Sequence, residues 1–242
     1  METKKEKWLE GTATGAFNGP CPVCGGEKFS FSPVLWLELI TSWQLSKEEV
    51  DYVNRQQGFY CCECQNNLRA MALAKAILIT QGYSGTLREF CGNGVPLRVL
   101  EINTAFSLST ILSGMSGHRL ITFPQFDLLD LKIESESVDI VIHSDCLEHV
   151  ESPVIALSEC CRVLREGGFC IFTIPIIVGR MTRSRHGLPP SYHDQAGSVA
   201  SDMLVYTEFG ADFWRAILLA GFSGCEIVGL EFPAGLAIIA RR

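Results

Sequence analysis

The stretch SVDIVIHSDCLEHVESPVIALSECCRVLREGGFCIFTIP, residues 137–175, decides the fold. Residues 138–143 are a short, almost wholly apolar run, the pattern of a strand covered on both faces. Ser144-Asp145 is a polar turn. Ser152 and Pro153 read as the N-cap and first position of a helix, along which Val154, Leu157, Cys161 and Leu164 fall on one face. Gly167-Gly168 is predicted to end that helix, and residues 169–175 to form a second buried strand. Strand, loop, helix and strand in this order make one βαβ unit of a parallel sheet. Ligands of such sheets sit beyond the carboxyl ends of the strands, which puts residues 143–149 beside a site.

Composition bounds the rest. The chain has 242 residues, 47% of them hydrophobic, and a mean hydropathy of +0.20, enough for a well-filled core. No apolar run reaches membrane length. The N-terminus has lysines with no apolar segment after them, so no signal peptide is read there and a cytoplasmic protein is expected. A net charge of −7 argues against broad binding of a nucleic-acid backbone. Eleven cysteines without a secretory signal point to thiols and metal ligands before disulfides.

Four of those cysteines have metal spacing. Cys21 and Cys24 form one CxxC, Cys61 and Cys64 a second, and two such turns complete a closed four-thiolate zinc site. Cys62 can replace either neighbour. Buried apolar cysteines and redox thiols are the rival readings. Between the pairs, residues 33–43 are apolar and helix-length, and Ser46-Lys-Glu-Glu49 is a capping box opening a second helix towards Gln57. Residues 66–80 read as a helix apolar over most of its surface, docking the zinc lobe on the main domain. The expected division is a zinc-binding helical lobe at 1–80 and an α/β domain at 81–242.

Three pieces of the α/β domain resemble class I S-adenosylmethionine-dependent methyltransferases of the type 11 kind. They are Ser137-Val138-Asp139-Ile140-Val141, Leu147-Glu148-His149 and the Arg-Val-Leu-Arg-Glu-Gly-Gly of 162–168. The resemblance implies a Rossmann-like sheet of seven strands, mostly parallel. It also implies S-adenosylmethionine as cofactor, and methyl transfer to an O or N nucleophile of a small molecule such as a saccharide or other metabolite. In that family the first strand, here 97–102, ends in an acidic residue, here Glu101. A glycine-rich turn then lets the backbone approach the cofactor. Here that turn reads Asn103-Thr104-Ala105-Phe106-Ser107, with none of the glycines. Asn103 tolerates a left-handed backbone and Ala105 is small, whereas Phe106 is large enough to fill ligand space.

By the same resemblance Asp127 takes the adenine amino group, with the Leu128 backbone beside it. His143, Ser144 and Asp145 border the sugar and methyl-donor end. Asp127 also reads as a turn residue on a solvated loop. The second strand, 119–123, ends without the family's ribose-binding carboxylate, and the third, near 126–133, reads as shortened or merged. Residues 178–198 are too long for a plain connector and read as a functional loop or lid, with Tyr192, His193 and Asp194 its chemically capable residues. Tyr192, His193 and His149 are the candidate catalytic bases. His149 reads first as a structural hydrogen-bonder, and remains a candidate base because a neutral imidazole accepts a proton near pH 7. Thr207 is predicted to cap a helix over 208–220, and 225–230 and 236–240 to close the sheet as an antiparallel hairpin.

Two other functions fit the same residues. One is a catalytically degenerate binding protein whose cofactor pocket the turn at 103–107 has closed. The other is an RNA methyltransferase whose zinc lobe presents the substrate, which the acidic balance disfavours.

Overall fold

The computed structural model describes residues 19–193 and 203–242. The N-terminal part contains β1 (Phe29–Phe31), α1 (Leu37–Ser42), α2 (Lys47–Gly58), β2 (Phe59–Cys61) and α3 (Leu68–Thr80). The expected capping box is present at the start of α2. Ser46 accepts from the Glu49 N–H, and the Glu49 carboxylate accepts from the Ser46 N–H. α1 is shorter than the apolar run that predicted it, because the Val34 and Leu35 N–H groups bond the Asn54 side chain and Trp36 stays extended before it. β1 and β2 pair antiparallel and bring the two cysteine turns together.

The sheet follows: α4 (Leu87–Gly92), β3 (Val99–Ile102), α5 (Ser107–Leu112), β4 (His118–Ile121), β5 (Val138–Ser144), a 3-10 turn at Leu147–His149, α6 (Pro153–Val163) and β6 (Leu164–Thr173). After it come β7 (Ile176–Ile177), β8 (Arg183–Ser184), β9 (Thr207–Gly210), α7 (Trp214–Leu219), β10 (Gly224–Glu231) and β11 (Gly235–Arg241). Six strands run in the order β10-β11-β6-β5-β3-β4. β4, β3, β5 and β6 are parallel, and the β10–β11 hairpin adds the antiparallel edge. The expected sheet had seven strands. The missing one falls at 126–133, where Asp127 and Asp130 shape turns and the Leu131 N–H bonds Glu159 on α6 in place of a ladder partner.

Alternation along the strands fills both faces. Ile140, Ile142, Ile171 and Ile239 pack with α3, while Val141, Cys170, Phe172 and Ile238 pack with α6 and α7. α3 is apolar over most of its surface because it is covered by the sheet on one side and the cysteine lobe on the other. Two bidentate pairs add to that docking: Arg55 with Glu231 at 2.8 and 2.9 Å, and Arg180 with Glu49 at 2.8 and 2.7 Å. No helix among the described residues is long and apolar enough to cross a membrane.

Two boundaries differ from expectation. α6 ends at Val163, and residues 164–168 already belong to β6, with an irregular register between Val138 and Ile140. Residues 207–210 form a strand and not the first turn of a helix. Glu208 is buried there between Arg183, at 2.5 and 3.1 Å, and Arg185, and a Cβ on Gly210 would come within 2.2 Å of the Arg180 carbonyl oxygen. The helix begins only at Trp214. The arginines of 178–198 are therefore structural ties, not solvating charges.

His143 stands in the core of this sheet. Its ring is fully buried, stacks on Phe172 at 4.7 Å between centroids, and neither nitrogen has a hydrogen-bond partner among the described residues. Burial pushes its pKa down to about 3, from about 6.5 in an unfolded chain. Below about pH 6.5 the unfolded chain therefore binds a proton that the folded one refuses. The contribution to stability is complete above that pH and falls towards pH 3, at about 1.4 kcal/mol per unit. His143→Leu is expected to gain about 2 kcal/mol relative to the parent between pH 8 and pH 5, read from urea midpoints at each pH. An equal effect at both values would show that the ring does not resist protonation.

Candidate active site

A cavity of about 880 Å³ opens over the carboxyl ends of β3, β4 and β5 and is roofed by the N-terminal lobe. Its floor comes from the sheet: Asn103 and Thr104 after β3, Thr122 and Phe123 after β4, and Ser144, Asp145 and Cys146 after β5. Its roof comes from Leu35, Trp36, Leu39 and Trp43 of the cysteine lobe. Arg69, at the start of α3, is the one cation among the described lining residues, against Asp127, Asp145, Glu148 and Glu151.

The turn at 103–107 keeps a glycine-like shape without glycines. Asn103 has φ 55° and Phe106 has φ 53° and ψ −137°. The Asn103 carboxamide oxygen accepts from the Phe123 N–H at 3.0 Å. Glu101 is fully buried beneath the turn, taking Ser109 Oγ at 2.5 Å, the Ala105 N–H at 3.1 Å and His118 Nε2 at 2.7 Å. Glu101 and Ala105 thus shape the turn from behind, and neither lines the cavity. Phe106 does line it, yet its side chain is 65% exposed and leaves the space open. A left-handed φ with this ψ is strained in any residue with a Cβ, at about 1–3 kcal/mol. Phe106→Gly relieves that strain against about 1 kcal/mol of added chain entropy. The expected result is an unchanged or higher melting temperature, by up to about 4–8 °C. A clear fall would show that the ring holds the turn.

Asp127 and Leu128 line the cavity, and Asp127 Oδ1 also accepts from the Leu129 N–H at 2.9 Å. The turn role is therefore present, and Oδ2 remains for a ligand. Asp145, at φ 48°, is pinned by Thr173 Oγ1 at 3.0 Å and by an ion pair with Arg69. Arg69 is buried, holds Asp145 from Nη1, leaves Nε without a hydrogen-bond partner among the described residues, and lies over the Phe106 ring at 5.2 Å. Sequence reasoning missed it, since an all-apolar helix gives no sign that its lone arginine faces a site. His143 is a correction: its register turns it into the core, one residue short of the rim, so it does not border the cavity.

At the other end Glu148, His149 and His193 converge. The Glu148 side chain is fully buried, and neither carboxylate oxygen has a hydrogen-bond partner among the described residues. Burial raises its pKa to about 7. His149 Nε2 lies 3.6 Å and His193 Nδ1 3.8 Å from Glu148 Oε1. His149 Nδ1 donates to the Leu204 carbonyl at 3.0 Å. Trp43 packs against His193, with ring centroids 5.4 Å apart. Tyr192 bridges to Leu204 and is not among the described residues lining the cavity; Asp194 lies outside the described residues.

The cysteine cluster lies apart from this cavity. Cys21 Sγ is 3.7 Å from Cys64 Sγ, and Cys24 Sγ 3.6 Å from Cys61 Sγ, with all four sulfurs within 4.8 Å of one another. Four sulfurs about 2.3 Å from a tetrahedral zinc would stand about 3.8 Å apart. Cys62 is exposed and outside the cluster. The hydrogen bond with Cys21 holds the Cys64 thiol well below its ordinary range, towards the thiolate form that binds a metal.

A family model described as a methyltransferase domain matches residues 81–172. No curated protein matches the chain. Among solved structures, an S-adenosylmethionine dependent methyltransferase from Mesorhizobium loti is 14% identical, aligned over 64% of this chain and 95% of its own, with a TM-score of 0.39. The 1,6-didemethyltoxoflavin-N1-methyltransferase of Burkholderia thailandensis, solved with 1,6-didemethyltoxoflavin and S-adenosylhomocysteine, is 16% identical. It aligns over 89% of this chain and 96% of its own, with a TM-score of 0.42. The strand order ending in an antiparallel hairpin accompanies that match, and residues 81–172 are thus similar to a methyltransferase domain.

Proposed function

We propose that the chain transfers a methyl group from S-adenosylmethionine to an O or N nucleophile of a small molecule, and that Cys21, Cys24, Cys61 and Cys64 hold a structural zinc. The observation that carries the first part is the single cavity joining the strand-end residues to the Glu148–His149–His193 corner under the tryptophans of the lobe. Its volume lies within the range of pockets that enclose small ligands. Asn103, Asp127, Leu128, Ser144 and Asp145 would hold the cofactor, and Arg69 would take its carboxylate. When bound, the cofactor supplies a methyl carbon on a positively charged sulfur. Trp36, Trp43 and Leu39 would orient the acceptor and exclude water. The cofactor's carbon–sulfur bond would be one that can break with the electron pair leaving on sulfur, so the acceptor would need only to present a lone pair in line with the methyl carbon. The acceptor proton passes to His149, His193 or Glu148, while alignment supplies most of the rate. One cation against four carboxylates favours a neutral or cationic acceptor over an acidic one.

Calorimetric titration with S-adenosylhomocysteine tests this reading. Saturable binding at one site per chain is expected. No heat and no thermal shift at millimolar ligand would favour the degenerate binding protein, for which the absence of glycines from the turn at 103–107 is the supporting observation.

A further inference from the structure

We propose that Glu148, His149 and His193 form a binding site for a divalent first-row transition ion in the acceptor end of the cavity. One carboxylate and two imidazoles are donors of intermediate softness, suited to manganese, iron, cobalt or zinc, and they leave open positions for water or an acceptor atom. Two donors each about 2.1 Å from an ion, at angles of about 110–120°, stand about 3.4–3.6 Å apart. The measured separations from Glu148 Oε1 are 3.6 Å to His149 Nε2 and 3.8 Å to His193 Nδ1, too long for hydrogen bonds and close to the spacing of shared ligands.

Four further observations point the same way. Glu148 is fully buried at the cavity wall without a hydrogen-bond partner among the described residues, and a bare buried carboxylate is expensive. The Leu204 carbonyl requires the proton of His149 on Nδ1, so a neutral ring presents the Nε2 lone pair towards Glu148. A carbonyl behind a histidine is the usual support of a metal ligand. His193 is held in place by its own N–H on the Met203 carbonyl at 3.1 Å and by Trp43. The remaining charges on the cavity wall are Arg69, Asp127, Asp145 and Glu151, an acidic excess that favours a cation.

The site deepens the proposed methyl transfer and in its function rests on that reading. An ion here would bind the acceptor heteroatom and lower its pKa, and the imidazoles would then be ligands and not proton acceptors. Binding itself needs no turnover, which separates the two claims.

The experiment is a titration of the full, zinc-loaded chain with cobalt(II), followed by absorption. We expect one equivalent to bind with visible ligand-field bands. The near-ultraviolet thiolate charge-transfer band that marks exchange into the cysteine cluster should be missing. His193→Ala and the shape-conserving Glu148→Gln should each weaken binding beyond about tenfold, since even outer supports of a metal ligand are worth 10–100-fold. No visible band at saturating cobalt, or a band unchanged in both variants, overturns the site. Failure of S-adenosylhomocysteine to bind, with the cobalt band intact, would overturn the transfer reading alone.

Discussion

Cys61→Ser is expected to remove the proposed zinc and lower the melting temperature by more than about 10 °C. A structural zinc contributes on the order of 10 kcal/mol to a small domain, comparable to the whole stability of many proteins. Here the loss would not stay local. Cys21, Val23, Phe59 and Cys61 belong to the same apolar cluster as Met71, Leu73 and Ile77 of α3, and that cluster continues to Ile142 and Ile171 in the sheet. Loosening the two cysteine turns therefore uncovers the outer face of α3. Trp36, Leu39 and Trp43 would then lose their seat over the cavity. Cys62→Ser is the matched control. Its sulfur is exposed and outside the cluster, so stability should change by no more than about 0.5 kcal/mol and the zinc should remain. Metal analysis with thermal unfolding reads both variants. Full zinc in Cys61→Ser, or well under one zinc per parent chain, would sink the assignment.

What could be read from the sequence alone was what local chemistry dictates. The apolar run at 138–143, the Ser152-Pro153 start, the capping box at Ser46 and the paired CxxC turns each carry their signal within a few residues, and the structure places all four as expected. The failures share one cause, which is contact between distant segments. Residues 207–210 have the spacing of a helix start, but Glu208 is claimed by Arg183 and Arg185, and Gly210 by the backbone of Arg180. His143 occupies the expected strand end, yet its register turns it under Phe172. Glu148 was visible as part of Leu-Glu-His, but its burial beside His193 depends on a loop returning from some forty-five residues later. Arg69 is the clearest case. Its helix reads as packing alone, and only the fold sets its guanidinium over Phe106 in the turn at 103–107.

That position makes Arg69→Met the second large expectation, and one with two separable parts. Removing the guanidinium leaves Asp145 with a single hydroxyl partner at the cavity wall, a loss of about 3–5 kcal/mol when one member of a buried pair is removed. If Arg69 also receives the cofactor carboxylate, S-adenosylhomocysteine binding should weaken by about 10–150-fold, the worth of a hydrogen bond to a charged group. A fall in affinity alone could come from a distorted site, so the argument needs the double variant Arg69→Met/Asp145→Asn. Asparagine tolerates the left-handed backbone at 145, keeps an acceptor for Thr173 and removes the stranded charge. Stability should then return while affinity for S-adenosylhomocysteine stays low. Methylthioadenosine, which lacks the amino-acid carboxylate, should bind the parent and the double variant almost equally. If both ligands lose affinity in parallel, Arg69 acts only by holding Asp145. A loss confined to the ligand that bears a carboxylate would mean that the start of α3 reads the amino-acid end of the cofactor directly.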